Sequence, residues 1–248
     1  MTIYHSPRYK KEQGNFQSCS FFITMIEDHF IQLVNVTKIY PRGENPVVAL
    51  DRVNVNLSKG EFLAITGKSG CGKSTLINII GGLDSPDQGR VMINGENIST
   101  MNDRRLTLYR RDRVGIIFQF FNLLPILNLQ ENIALPHLLR EGSNPPRDKI
   151  ENLLHEMDLY ERRNHYPHEL SGGEMQRVAI CRALINDPDI ILADEPTGNL
   201  DSTSGKQVLD ILRRLRDGQG KTVILVTHSH EGAAMADRVI RMSDGKLL

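Results

Sequence analysis

Apolar positions along the chain follow two different periods. Val53, Val55 and Leu57 alternate with Asn54 and Asn56, the two-residue period of a half-buried strand, which predicts a strand over residues 47–57. An extended segment over 30–40 carries Ile31, Leu33 and Val36, and residues 41–46 are turn-rich. Two or three antiparallel strands are therefore expected ahead of residue 66. Short apolar runs at 61–66, 114–118, 190–193 and 223–226 read as buried strands, and 90–94 as a further short strand ended by Asn94-Gly95. Helical spacing predicts helices over 74–80, 103–111, 129–139, 149–157, 174–184 and 202–216. Residues 239–242 and 246–248, joined by Ser243-Asp244-Gly245, predict a closing hairpin. Strands alternating with helices argue an α/β fold around a parallel sheet with right-handed crossovers. From about 120 to 185 no strand pattern occurs, and Pro125, Pro136, Pro145, Pro146 and Pro167 punctuate helices. That stretch reads as a helical insertion between two strands of the sheet.

Composition narrows the function only a little. At 248 residues the chain suits one large α/β domain or two small ones. The formal net charge is zero, so no basic surplus argues for nucleic acid, and none is expected as a partner. Cys19, Cys71 and Cys181 are far apart without metal-ligand spacing, which suits a reducing cytosol. No apolar run approaches the length that crosses a bilayer, so any membrane part is expected from another chain. Residues 1–28 read as an extension ahead of the domain at 29–248. Arg8, Lys10, Lys11 and Phe21-Phe22-Ile23 faintly imitate a signal peptide, but the favoured reading is a flexible lead or an upstream start with Met25 as initiator.

Three stretches carry chemistry. Gly67-Lys68-Ser69-Gly70-Cys71-Gly72-Lys73-Ser74-Thr75 fits G-x-x-x-x-G-K-[ST] at every fixed position, between a predicted strand and a predicted helix. Its glycines let backbone N–H groups turn inward around phosphate, and the helix start adds partial positive charge. Lys73 would reach the β- and γ-phosphates, and Ser74 would offer its hydroxyl to Mg²⁺. Asp194 and Glu195 end a buried strand at the sheet edge where ligands bind. Asp194 suits Mg²⁺, and Glu195 suits a general base for a water lined up with the γ-phosphate. Leu170-Ser171-Gly172-Gly173-Glu174-Met175-Gln176 is a second anion-binding helix start. One phosphate loop already serves one nucleotide, so this second start is expected to face phosphate held by a different molecule.

Taken in order, these stretches resemble an ATP-binding cassette (ABC) ATPase, the nucleotide-binding subunit of an ABC transporter, over essentially residues 30–248. The resemblance implies a P-loop NTPase fold with a RecA-like core, a parallel sheet, an antiparallel β subdomain and an inserted helical subdomain at about 120–185. It makes residues 67–75 the Walker A loop, 190–194 with Glu195 the Walker B strand and catalytic glutamate, and Ser171, Gly172, Gly173 and Glu174 the signature that meets ATP in trans. It also implies that Gln119 senses Mg²⁺ and water, that Asp201 belongs to the D-loop, that His228 is the switch histidine and that Tyr40 stacks on adenine. Two positions depart from the pattern: Cys71 stands where serine is common, and Ser229 where aspartate commonly follows the histidine. His165 and His168 are read as surface residues of the helical part, not as half a metal site.

The resemblance further implies ATP and Mg²⁺ as ligands, a head-to-tail homodimer on ATP binding, and an integral-membrane permease as a separate chain. The protein is then expected in the cytoplasm, peripheral on the inner face of the membrane. Residues 114–125, 131–136 and 193–201 resemble the macrolide-exporter, lipoprotein-release and antimicrobial-peptide-resistance branch, implying export, lipoprotein extraction or mechanotransmission across the envelope. A regulator of a cell-wall hydrolase is the alternative. A DNA-repair-type ABC ATPase is disfavoured, because no coiled-coil insertion separates the Walker motifs.

Overall fold

The structure, a computed structural model, describes residues 29–41, 43 and 45–248. The readings made on residues 1–28, Cys19 and Met25 included, lie outside these. Four strands form an antiparallel sheet: β1 (Ile31–Tyr40), β2 (Val47–Leu57), β4 (Gln88–Ile93) and β5 (Glu96–Asn97), in the order β2-β1-β4-β5. Six form the main sheet, in the order β10-β9-β3-β8-β7-β6: β3 (Phe62–Thr66), β6 (Val114–Ile117), β7 (Ile190–Asp194), β8 (Thr222–Val226), β9 (Arg238–Ser243) and β10 (Lys246–Leu247). All pairings in the main sheet are parallel except β9 with β10.

Period two survives even in the strands that are apolar throughout, because successive side chains point to opposite faces. Leu63, Ile65, Ile190, Leu192, Ile224 and Val226 pack into one core, shared with β1, β2 and β4 and with helix α1 (Lys73–Ile80). Phe62, Ile191, Ala193, Val223 and Leu225 pack into a second core. Helices α3 (Leu129–Glu141), α5 (Gly172–Leu184) and α6 (Ser202–Gln219) cover this second face. A sheet covered on both sides has no polar face to offer water, which is why these strands read as continuous apolar runs. The remaining helices are α2 (Asp103–Arg113), α4 (Arg147–Glu156) and α7 (His230–Ala234).

Several elements differ from the pattern-based expectation. The antiparallel sheet takes β4 from beyond α1, whereas β3 joins the parallel sheet. The closing hairpin forms, with Asp244 (φ 48°) and Gly245 (φ 76°) both left-handed as a type I′ turn requires, but β9 also pairs with β3. The helix expected over 129–139 forms with Pro136 inside it and ends at Glu141. The helix ends are held elsewhere, by an Asn128/Glu131 capping box and by left-handed Gly142 (φ 71°). The short α7 had no strong apolar period to announce it. Ser229, which departs from the family's aspartate, accepts a hydrogen bond from Gly232 N–H at 3.2 Å and caps this helix.

Candidate functional site

The phosphate loop joins β3 to α1 through glycines that no other residue replaces. At Gly67 (φ 150°) a Cβ would fall 2.2 Å from the Met242 carbonyl oxygen; at Gly72 (φ 106°) it would fall 2.2 Å from that of Ala49 and 2.8 Å from Met242 Cε. The loop therefore lies directly against β9 and β2. The closing turn also holds it, since Gly245 N–H donates to Cys71 O at 3.0 Å and Asp51 N–H donates to Gly245 O at 2.9 Å. Cys71 turns its side chain into the core, so a thiol serves there as well as a hydroxyl. Gly72 caps α1 with no side-chain acceptor, and the first turn holds no acid, so the N-terminal amides keep their partial positive charge for a ligand. Lys73 is only 6% exposed, and its Nζ donates to the carbonyls of Gly67 (2.9 Å) and Lys68 (3.0 Å).

The C-terminal ends of β6, β7 and β8 bring the remaining groups to the same place. Ile117 sits beside Ala193, and Asp194 beside Val226. Glu195 N–H donates to Val226 O at 3.0 Å, which turns the residue into the left-handed region (φ 50°), an uncommon conformation for a non-glycine. Its Oε1 is 3.1 Å from His228 Nε2, and His228 N–H donates to its Oε2 at 3.3 Å. Lys73 Nζ lies 3.4 Å from the same Nε2. One ring nitrogen either donates to the carboxylate or accepts from the ammonium, never both. The carboxylate is the nearer partner.

Ser69, Gly70, Gly72, Lys73, Ser74, Thr75, Gln119, Asp194, Glu195 and His228 thus line one cleft of about 690 Å³, together with Tyr40. Gly67, Lys68 and Cys71 do not line it; the first two give carbonyls to Lys73. Gly198 does line it, and a Cβ there would come 2.8 Å from Gln119 Nε2. Asp194 Oδ1 is buried with no hydrogen-bond partner. An orphaned carboxylate oxygen near a serine hydroxyl and a glutamine amide is a donor set that fits a hard cation such as Mg²⁺.

The second helix start stands apart. Ser171, Gly172, Gly173 and Glu174 do not line the cleft. Ser171 caps α5, and Glu174 Oε2 accepts from both its N–H and its hydroxyl at 2.8 Å. Burial is the largest influence on the Glu174 carboxyl and pushes it up, but the two Ser171 hydrogen bonds prevail and hold it below the usual carboxylate range. At Gly173 a Cβ would fall 2.6 Å from Ser204 Oγ, so α5 and α6 approach closely there. Asp201, also outside the cleft, caps α6 by accepting from Ser204 N–H at 3.0 Å. His165 is half-buried beside Arg162, and His168 is exposed beside Tyr166.

The sequence pattern of the ABC transporter family matches residues 50–198, more than half the chain. The chain belongs to that family. An uncharacterized ABC transporter ATP-binding protein of Methanocaldococcus jannaschii, MJ0796, is 46% identical over 222 residues, which cover 88% of this chain and 94% of that protein. The macrolide export ATP-binding/permease protein MacB of Hyphomonas neptunium is 46% identical over 219 residues, covering 88% of this chain but only 34% of that protein. Among solved structures, a dimeric post-hydrolysis state of the ATP-binding cassette MJ0796 bound to ADP and Pi matches with a TM-score of 0.82 and 43% identity, over 88% of this chain and 96% of that one. The parallel core, antiparallel sheet and inserted helices are those of an ABC cassette in the P-loop NTPase class. This ABC protein is an ATP-binding, ATP-hydrolysing subunit of a transporter, with macrolide-export cassettes among its relatives. Among the described residues no helix is long and apolar enough to cross a membrane. A tie at this cleft that sequence reasoning missed is Asp84, which accepts a hydrogen bond from Tyr40 Oη at 2.7 Å. An aspartate in a turn-rich stretch reads as turn chemistry, and nothing local announces a partner 44 residues away.

Proposed function

We propose that the cleft binds ATP with its phosphates on the 67–75 loop and the start of α1, its base against Tyr40, and Lys73 reaching the β- and γ-phosphates. Ser74, Gln119 and Asp194 would hold Mg²⁺, which supplies charge neutralisation on the phosphate oxygens. Glu195 takes a proton from the attacking water as it adds to the γ-phosphorus and ADP leaves. His228 orients that carboxylate and answers the γ-phosphate. Catalysis here is positioning and charge stabilisation, with the base worth about 10²–10⁴-fold. The carrying observation is the Glu195–His228–Lys73 cluster at 3.1 and 3.4 Å in the wall of the cleft.

Two copies pair head to tail, each offering Ser171, Gly172, Gly173 and Glu174 to the nucleotide of the other, with Asp201 near the seam. The absence of the signature from its own cleft supports this, as does the dimeric state of MJ0796. The work reaches a membrane permease on a separate chain, which holds the ATPase on the inner face of the membrane and chooses the cargo. The division into a core and a helical subdomain at about 120–185 serves that transmission. A second groove, of about 570 Å³, lies between α2 and α5 beside Phe118 and Asn122. Its rim includes Leu139, 74% exposed, and Phe120 stands nearby in sequence, 72% exposed. An ATP-binding/permease protein among the relatives, of which this chain spans a third, supports a permease as the occupant.

Glu195→Gln is the direct test. Turnover should fall by at least about 10²-fold while Mg-ATP affinity holds, and light scattering should show an ATP-dependent dimer. Native turnover in this variant would remove Glu195 as the base.

A further inference from the structure

The carboxylate of Asp84 gathers the end of β1 and the end of α1 onto one side chain. Oδ2 accepts from Tyr40 Oη at 2.7 Å, and Oδ1 accepts from Lys38 Nζ and Ser85 N–H, each at 2.7 Å. Lys38 Nζ also donates to Ser85 O at 2.8 Å and sits 5.2 Å from the Tyr40 ring centroid. The Lys38 and Asp84 side chains are 12% and 29% exposed, so the ion pair is part-buried, while the Tyr40 hydroxyl end faces water. The backbone of the same turn is tied to α1, since Leu83 and Asp84 N–H groups both donate to Asn78 O. A second carboxylate repeats the arrangement, Asp87 Oδ2 accepting from Ile39 N–H at 2.6 Å. The chain of links therefore runs from Lys73 along α1 to Asn78, through Asp84, to the Tyr40 ring.

We propose that Asp84 is a positioning residue that holds Tyr40 in register with the phosphate-binding helix, and so sets affinity for the nucleoside half of the ligand. The proposal rests on the reading of Tyr40 as the base-stacking residue. The Thr75 side chain of α1 also hydrogen-bonds the Tyr40 hydroxyl, and Asp84 adds the charged acceptor that the hydroxyl donates to. A ring that must first be ordered binds a base more weakly. With its hydroxyl pinned, the ring meets the base at a spacing from the phosphates that α1 dictates. Charge supports the geometry. Burial, the largest influence, raises the Asp84 carboxyl, yet hydrogen bonds from Lys38 and Tyr40 overcome it and keep the group below the usual aspartate range. Burial and then the Asp84 hydrogen bond raise the Tyr40 hydroxyl, which therefore stays a neutral donor.

ADP and pyrophosphate separate the two halves of the ligand, because pyrophosphate has no base. Isothermal titration of the full chain with Mg-ADP and with Mg-pyrophosphate is the test. Asparagine keeps one carbonyl oxygen and puts an NH2 group where the other oxygen stood, so it cannot accept from Lys38 and from Tyr40 at their two separate positions. Asp84→Asn should weaken Mg-ADP about three- to tenfold, the range of one lost hydrogen bond, and leave Mg-pyrophosphate unchanged, with kcat at saturating ATP within about twofold. Asp84→Glu, with two acceptors, should restore part of the loss. In a Tyr40→Phe background Asp84→Asn should lose most of its effect. Native ADP affinity in Asp84→Asn, with Tyr40→Ala clearly weakened, overturns the proposal and leaves the base reading standing. Equal weakening of ADP and pyrophosphate overturns it as general damage to the loop. Native ADP affinity in Tyr40→Ala removes the base reading itself, and the proposal with it.

Discussion

The two glycine-flanked helix starts, α1 and α5, meet the same physical problem in opposite ways. Each leaves backbone N–H groups without helical partners and carries partial positive charge. At α1 the capping residue is Gly72, with no side-chain acceptor and no acid in the first turn, and a buried lysine stands beside it. At α5 the capping residue is Ser171, and Glu174 closes a capping box over it. The first end is incomplete without an anion. The second has one of its amides taken by its own serine and carries a carboxylate of its own alongside. In our reading, α1 captures nucleotide within one subunit, whereas α5 takes up a second subunit's γ-phosphate only by displacing or accommodating its own carboxylate. Nucleotide retention and nucleotide-driven pairing are thereby given to two ends that respond differently to mutation.

The sharpest way to break this contrast is a matched pair of glycine substitutions. Gly72→Ala places a methyl 2.2 Å from the Ala49 carbonyl at φ 106°, a backbone clash with no flexible side chain to absorb it. Mg-ADP affinity should fall at least about 10²-fold, with a lowered melting temperature. Gly172→Ala meets its nearest atom, Leu200 Cδ2, at an ordinary 3.4 Å, so stability should stay within about 0.5 kcal/mol and monomer ADP affinity should not change. Equal responses in titration would erase the distinction. Ser171→Ala comes next: losing the cap should cost about 1 kcal/mol in a denaturant melt, while ADP affinity of the isolated subunit stays native. A smaller effect is expected from Glu174→Gln, which keeps the box and removes one negative charge. In a Glu195→Gln background, ATP-induced dimers should form at about two- to fivefold lower protein concentration by light scattering. Weaker pairing would mean that the carboxylate assists the seam.

The smallest effect is one of pH. The Glu174 carboxyl is lower in the folded chain than its ordinary 4.5, so its stabilisation is complete above that value and is lost as pH falls through the folded value. The melting-temperature gap between native and Glu174→Gln protein should be flat from neutrality to about pH 5 and shrink below it.

Much of the phosphate site was legible because its requirements are local. Glycines at forbidden angles, a lysine and a serine at fixed spacing, and an apolar strand before them all lie within one short window. The same holds for the capped start of α5 and for strands β7 and β8, whose unbroken apolar runs follow from burial on both faces. What stayed hidden depends on partners distant in sequence. β4, beyond α1, pairs with β1, and β9 pairs with β3 as well as with its hairpin partner β10; neither long-range pairing leaves a trace in local periodicity. Pro136 sits inside a helix that the apolar spacing did announce. Burial of Leu129 and Ile133 and the caps at both ends outweigh the single hydrogen bond that a proline removes. The missed Asp84 tie belongs with the long-range cases.

The contacts of Met242 and Gly245 with the phosphate loop carry a consequence for biosynthesis. Gly67 owes its tight geometry to Met242, in a strand that the ribosome makes some 170 residues later, and Gly72 is held between Ala49 and the same methionine. A nascent chain that has exposed the whole of the loop still lacks the floor on which it rests. Nucleotide capture should therefore be complete only once β9 and the turn that follows it are available to pack against the loop.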